Sequence, residues 1–141
     1  MKSALKILFV LLVVLTSSCK KEFKETQEKM ALLTKRSGWI TLKVEKKSST
    51  GTWLDITGTP LPHEKDNALI FDPWYKWAID AGLLKLPGDA QIIAYGSWSF
   101  VDKGIQIEEG NLMEINELTE TSLIVIVNST TESFRYTYGH P

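Results

Sequence analysis

Past Gly38 the chain alternates, with Ile40, Leu42 and Val44 apolar and Thr41, Lys43 and Glu45 polar. A period of two sends successive side chains to opposite faces of a pleated backbone, so this stretch predicts a half-buried strand. Turn-forming clusters then recur at short intervals: Ser48-Ser49-Thr50-Gly51, Gly58-Thr59-Pro60, Pro87-Gly88-Asp89, Asp102-Lys103-Gly104 and Glu109-Gly110-Asn111. Between them lie runs rich in Ile, Val, Thr, Trp and Tyr, which predict strands at 39–47, 52–58, 67–72, 76–81, 91–101, 104–109, 112–117, 121–128 and 132–138. Short strands joined mainly by hairpins predict an all-β fold, an antiparallel up-and-down barrel of about eight strands in preference to a sandwich, because closure removes exposed edges.

One segment reads two ways. Asp72-Pro73 ahead of Trp74 to Ala81, with Gly82 behind, has the signals of a short capped helix. It also reads as a strand ending at Phe71, a turn over 72–76 and a return strand through Trp77-Ala78-Ile79-Asp80. The hairpin is preferred because it continues the surrounding period.

The N-terminal pattern is different. Lys2 and Lys6 precede an unbroken apolar run of nine residues, Ile7 to Leu15, followed by Thr16-Ser17-Ser18. A membrane-spanning helix needs about 20 apolar residues, and Lys20-Lys21-Glu22 ends this run early. The layout predicts a secretory signal. The only cysteine, Cys19, follows the small residues directly, and the site resembles the lipobox of bacterial lipoproteins, although Thr16 stands where the strict pattern prefers an aliphatic residue. The resemblance implies cleavage before Cys19 and acylation of its thiol, so that membrane lipid is a partner. The expected organisation is a signal peptide over 1–18, a lipid-anchored, partly helical tether over 19–35 and a β domain over 36–141. The expected location is the bacterial cell envelope, at the outer membrane.

Charge sharpens that division. Residues 20–36 carry six Lys or Arg against three Glu, net +3, whereas residues 37–141 carry eight against fourteen acids, net −6. A basic tether suits anionic headgroups, and an acidic domain lacks the footprint of a nucleic-acid binder. With Cys19 acylated, the domain has no thiol left for a disulfide and depends on its core.

Four stations in order, Leu32-Leu33-Thr34 with Gly38-Trp39, Glu64-Lys65-Asp66-Asn67 leading into Ile70-Phe71, Gly96-Ser97-Trp98-Ser99-Phe100, and Glu117-Leu118-Thr119-Glu120-Thr121-Ser122-Leu123, resemble the lipocalin-like domain of Bacteroidetes lipoproteins. The resemblance implies a calycin-type antiparallel barrel with Trp39 plugging one end. This chain departs from the pattern at His63, where many members have a cysteine paired with another after the next hairpin. Trp74 and Trp77 also replace small turn residues.

Catalytic motifs are missing. His63-Glu64 has Asn67 where a zinc protease needs its second His, and Gly96-Ser97-Trp98-Ser99-Phe100 lacks the serine of a nucleophile elbow. Neither an enzyme nor a cofactor is expected. Trp39, Trp53, Phe71, Trp77, Trp98 and Phe100 are the candidate barrel-interior residues, as packed core or as the lining of a ligand site. On the fifth barrel segment, Ile92, Ala94, Gly96, Trp98 and Phe100 are expected to face inward. Trp74 and Tyr75, at a hairpin tip, are candidate partner contacts. Two functions follow: an envelope lipoprotein binding a small, mainly apolar molecule, or a filled barrel that docks another envelope protein.

Overall fold

A computed structural model describes residues 24–35, 37–108 and 111–140. The expected signal peptide, Cys19 and the expected tether up to residue 23 lie outside the described residues. The chain divides into two units, one ending at Ala31 and one running from Leu32 to Pro141. In the first, residues 24–31 begin a helix, α1, that extends to residue 33. It carries the i,i+4 ion pairs Lys24–Glu28 at 3.7 Å and Glu25–Lys29 at 2.8 Å, the spacing that brings side chains together on a helix surface. No helix among the described residues is long and apolar enough to cross a membrane.

The second unit is antiparallel β. Its strands are β1 (Trp39–Lys47), β2 (Trp53–Asp55), β3 (Ala68–Phe71), β4 (Lys76–Asp80), β5 (Ile92–Val101), β6 (Gly104–Ile107), β7 (Asn111–Leu118), β8 (Ser122–Asn128) and β9 (Ser133–Gly139). Strands β3 to β9 pair in sequence order, and β9 closes onto β1, so eight strands form a barrel. Strand β2 is extra. It pairs with the last three residues of β1, on the edge whose first two residues pair with β3.

The ambiguous segment is a hairpin. Asp72 Oδ1 accepts from the backbone N–H groups of Trp74 and Lys76, both at 2.8 Å, and the Asp72 N–H donates to the Lys76 carbonyl, also at 2.8 Å. These bonds give the backbone a tight turn in place of a helical one, and they hold Tyr75 at φ 63. Phe71 and Trp77 then face each other across the ladder.

Register defines the interior. Trp39, Leu69, Phe71, Trp77, Ile79, Ala94, Gly96, Trp98, Phe100, Ile105, Met113, Leu123, Val125, Tyr136 and Tyr138 occupy one continuous face around the barrel. That face holds the largest wholly buried side chains of the strands, Trp39, Phe71, Ile105, Leu123 and Val125. Residue Ile92 departs from the expected alternation. A bulge between β4 and β5 pairs Ile92 with Asp80, one step after Ile79 pairs with Ala94. The extra residue turns Ile92 to the outer face, because a one-residue slip reverses side-chain direction.

Candidate functional site

The barrel has a closed end and a parted wall. At the end where β1, β4, β6 and β8 begin, Trp39 is 0% exposed. Its indole N–H donates to the Leu33 carbonyl at 2.9 Å, and its ring stacks on His140 with centroids 4.1 Å apart. The His140 Nδ1–H reaches the Gly38 carbonyl at 2.6 Å. Close by in the fold, Trp98 meets Phe71 edge-on at 5.5 Å, Phe100 at 5.1 Å and Tyr75 at 5.4 Å, and its indole N–H donates to the Asp72 carbonyl at 3.2 Å. Phe71, Trp98 and Phe100 thus form one cluster with the turn that carries Tyr75.

The other candidates are placed apart from it. Trp77 lies opposite Gly96 in the ladder. A Cβ on Gly96 would come 2.7 Å from Trp77 Nε1 and 2.4 Å from Glu108 Oε1, so the indole and the carboxylate meet over a glycine. Trp53 belongs to β2, outside the eight-stranded wall, with the Arg135 guanidinium 4.8 Å from its ring centre. Trp74 is 81% exposed at its hairpin tip, while Tyr75 beside it is held against Trp98.

Beneath Trp53 is a charged network on the outer face. Arg135 Nε donates to Glu45 Oε2 at 2.6 Å and Lys43 Nζ to Glu45 Oε1 at 2.8 Å. The hydrogen bond from Arg135, with that from Lys43 next, lowers the Glu45 carboxyl from 4.5 to about 2. These long side chains, rather than depth in the domain, cover the carboxylate.

The parted wall lies where β1 passes from β3 to β2. The β1–β3 ladder has two residue pairs, Trp39–Leu69 and Ile40–Ala68, and β2 engages β1 only from Glu45. Thr57 spans part of the interval: its hydroxyl accepts from the Val44 N–H at 3.0 Å. Asp55 Oδ1 fixes Thr57 in turn, accepting from its N–H at 2.9 Å and its hydroxyl at 2.6 Å, and those bonds hold the Asp55 carboxyl below its usual range.

A cleft of about 310 Å³ opens at this place. Ile40, Pro60, Leu69 and Ile79 give it apolar walls, and Thr41, Thr57, Glu64, Lys65 and Asn67 give it polar ones. Tyr138 enters from β9, opposite Thr41 in the ladder, so the cleft reaches the inner face of the barrel. Tyr138 is 8% exposed. Burial, with Tyr136 nearby, pushes its ionisation well above the ordinary 10, so the hydroxyl keeps its proton. Asn67 Oδ1 is buried without a partner. A second depression of about 340 Å³ shares Glu64 and Asn67 with the cleft and continues between His63 and the 81–93 segment.

None of the candidate interior or partner-contact residues lines the cleft, although the Glu64-Lys65-Asp66-Asn67 station contributes Glu64, Lys65 and Asn67 to it. Its own residues, Thr41, Leu69, Ile79 and Tyr138, occupy ordinary inward strand positions, and only knowledge of where the ladder parts distinguishes them. Among the described residues there is no group of three or more His, Cys, Asp or Glu side chains able to hold a metal. Comparison with known protein families, with curated proteins and with solved structures finds no match to this chain.

Proposed function

We propose that this protein is a lipid-anchored cell-envelope binding protein, tethered through acylated Cys19, whose lipocalin-like barrel holds a small, mainly apolar molecule. The observation that carries the reading is the cleft between β1 and β3, whose walls are largely apolar and whose far side is the barrel interior. Its volume falls at the low end of the roughly 300–1,000 Å³ typical of small-molecule sites. A few polar groups among apolar walls is the composition by which such sites fix a ligand's orientation.

The test is native mass spectrometry of the protein extracted from membranes, alongside displacement of an apolar fluorophore. A co-purifying species that the Leu69→Trp variant excludes supports the reading. A wild-type protein that carries nothing and leaves the fluorophore free refutes it. The anchor is tested separately by Cys19→Ser, which should change the mass of the mature chain and release it from the membrane fraction.

A second reading, a docking module for another envelope protein, draws on Trp74. An indole 81% exposed at a turn is the kind of anchor that protein interfaces bury. Crosslinking from position 74 in cells distinguishes the two, because the binding-protein reading expects no protein adduct there.

A further inference from the structure

We infer, resting on the small-molecule reading above, that the cleft selects a neutral amphiphile with a hydroxyl head over a fatty acid of the same length. The walls set the first half of this. Ile40, Pro60, Leu69 and Ile79 accept an apolar body. The polar atoms set the second half. Tyr138, 8% exposed, lines the cleft, and Asn67 Oδ1 on the same lining is buried with no hydrogen-bond partner.

An unpaired buried polar atom costs about 1–3 kcal/mol, and Asn67 Oδ1 on the cleft lining is one. A matching head must donate to an amide oxygen and exchange a hydrogen bond with a phenol. One hydroxyl does both, because it carries a donor and two acceptor lone pairs. A carboxylate carries acceptors only. It would pair with the Tyr138 hydroxyl but would face Asn67 Oδ1 as acceptor against acceptor, with the Glu64 carboxylate on the same lining. The ammonium of Lys65, on that lining too, is the one group that would favour the acid. As an exposed residue, Lys65 acts through water and salt, whereas the buried Asn67 Oδ1 acts directly. Sites built to hydrogen-bond a hydroxyl discriminate strongly against analogues that leave their buried groups unpaired.

The experiment uses the full chain in phosphatidylcholine nanodiscs, titrated with 1-decanol, decyl methyl ether and decanoate. Binding is followed through the methyl resonances of Leu69 and Ile79, with empty discs fixing each ligand's partition into lipid. The expected result is that decanol binds at least about tenfold tighter than decanoate, with the ether between them. Tyr138→Phe, which keeps the ring and removes the hydroxyl, should weaken decanol by about tenfold. Asn67→Asp, which keeps an acceptor and adds charge, should leave decanol nearly unchanged and weaken decanoate further. Decanoate binding as tightly as decanol, or decanol binding indifferent to Tyr138→Phe, overturns the inference while leaving the cleft a binding site. Silence of both methyl probes towards all three ligands overturns the binding-protein reading itself, and this inference with it.

Discussion

Replacing Trp39 by Phe tests whether the closed end of the barrel supports the fold. The indole is 0% exposed and its N–H donates to the Leu33 carbonyl at 2.9 Å. That carbonyl sits in the last turn of α1, where helical carbonyls have no partner within the helix, so the indole supplies one from outside. Phenylalanine removes the donor and about three heavy atoms. The stranded carbonyl costs about 1–3 kcal/mol. A residual cavity of some 30–40 Å³, at about 24 cal/mol per Å³, adds roughly 1 kcal/mol. The sum, about 2–4 kcal/mol, is a large share of the ~5–15 kcal/mol that holds a domain folded. Equilibrium urea unfolding measures it: the midpoint should fall with the slope unchanged. Trp53→Phe is the control. Trp53 packs on the outer surface against Arg135 and Lys47, and its loss should cost about 0.5–1 kcal/mol. A Trp39→Phe protein within 1 kcal/mol of wild type, or a costlier Trp53→Phe, would refute the assignment of the plug.

Three further outcomes follow from the geometry. The Glu45 carboxyl lies at about 2 in the folded chain, below its ordinary 4.5, so its contribution to stability is complete above pH 4.5 and is lost as pH falls from there towards 2. Urea midpoints measured across that window should decline more steeply for wild type than for Glu45→Gln, and parallel declines would contradict the network. Asp72→Ala removes the acceptor of two backbone N–H groups at the β3–β4 turn and should cost about 1–2 kcal/mol, with faster amide exchange at Trp74 and Lys76. Gly104→Ala would place a methyl 2.1 Å from the Met113 carbonyl oxygen and 2.9 Å from Glu114 Cα. Backbone cannot step aside as a side chain can, so thermal unfolding should show a loss of about 3 kcal/mol or failure to fold.

The strands were legible because their signal is local. The alternation from Ala94 to Phe100 survives in the ladder, whereas that from Ile40 to Glu45 is broken by a bulge between Thr41 and Lys43, which leaves Thr41 opposite Tyr138 and Leu42 exposed. The turn at Asp72 was harder. Asp-Pro opens helices and turns alike, and the balance was tipped by two side-chain hydrogen bonds and by the match of Phe71 with Trp77 across the ladder. The position of Ile92 was lost to a bulge, which adds one residue without any compositional mark. The large aromatic residues announced themselves as candidates, and Trp39, Phe71 and Trp98 are indeed buried. The cleft itself was not legible, although the Glu64-Lys65-Asp66-Asn67 station supplies three of its residues. It exists because β1 shares one edge between β3 and β2, a consequence of strand lengths and loop paths that no window of sequence contains.

Both regions hold a buried polar atom without a partner, His140 Nε2 at the closed end and Asn67 Oδ1 on the cleft lining. At the closed end the indoles of Trp39 and Trp98 each have a carbonyl, and His140 Nδ1 has Gly38. In the cleft, Asn67 Oδ1 has no such partner. At position 138, which is 8% exposed, phenylalanine would keep the packed ring and leave no hydroxyl to desolvate. Tyr138→Phe should therefore raise the urea midpoint slightly, by up to about 1 kcal/mol in stability, while weakening a hydroxyl-headed ligand. The two effects have opposite signs only if the hydroxyl serves something outside the fold. A Tyr138→Phe protein that is clearly less stable than wild type would mean that the phenol is structural, and would take away the strongest polar feature of the cleft.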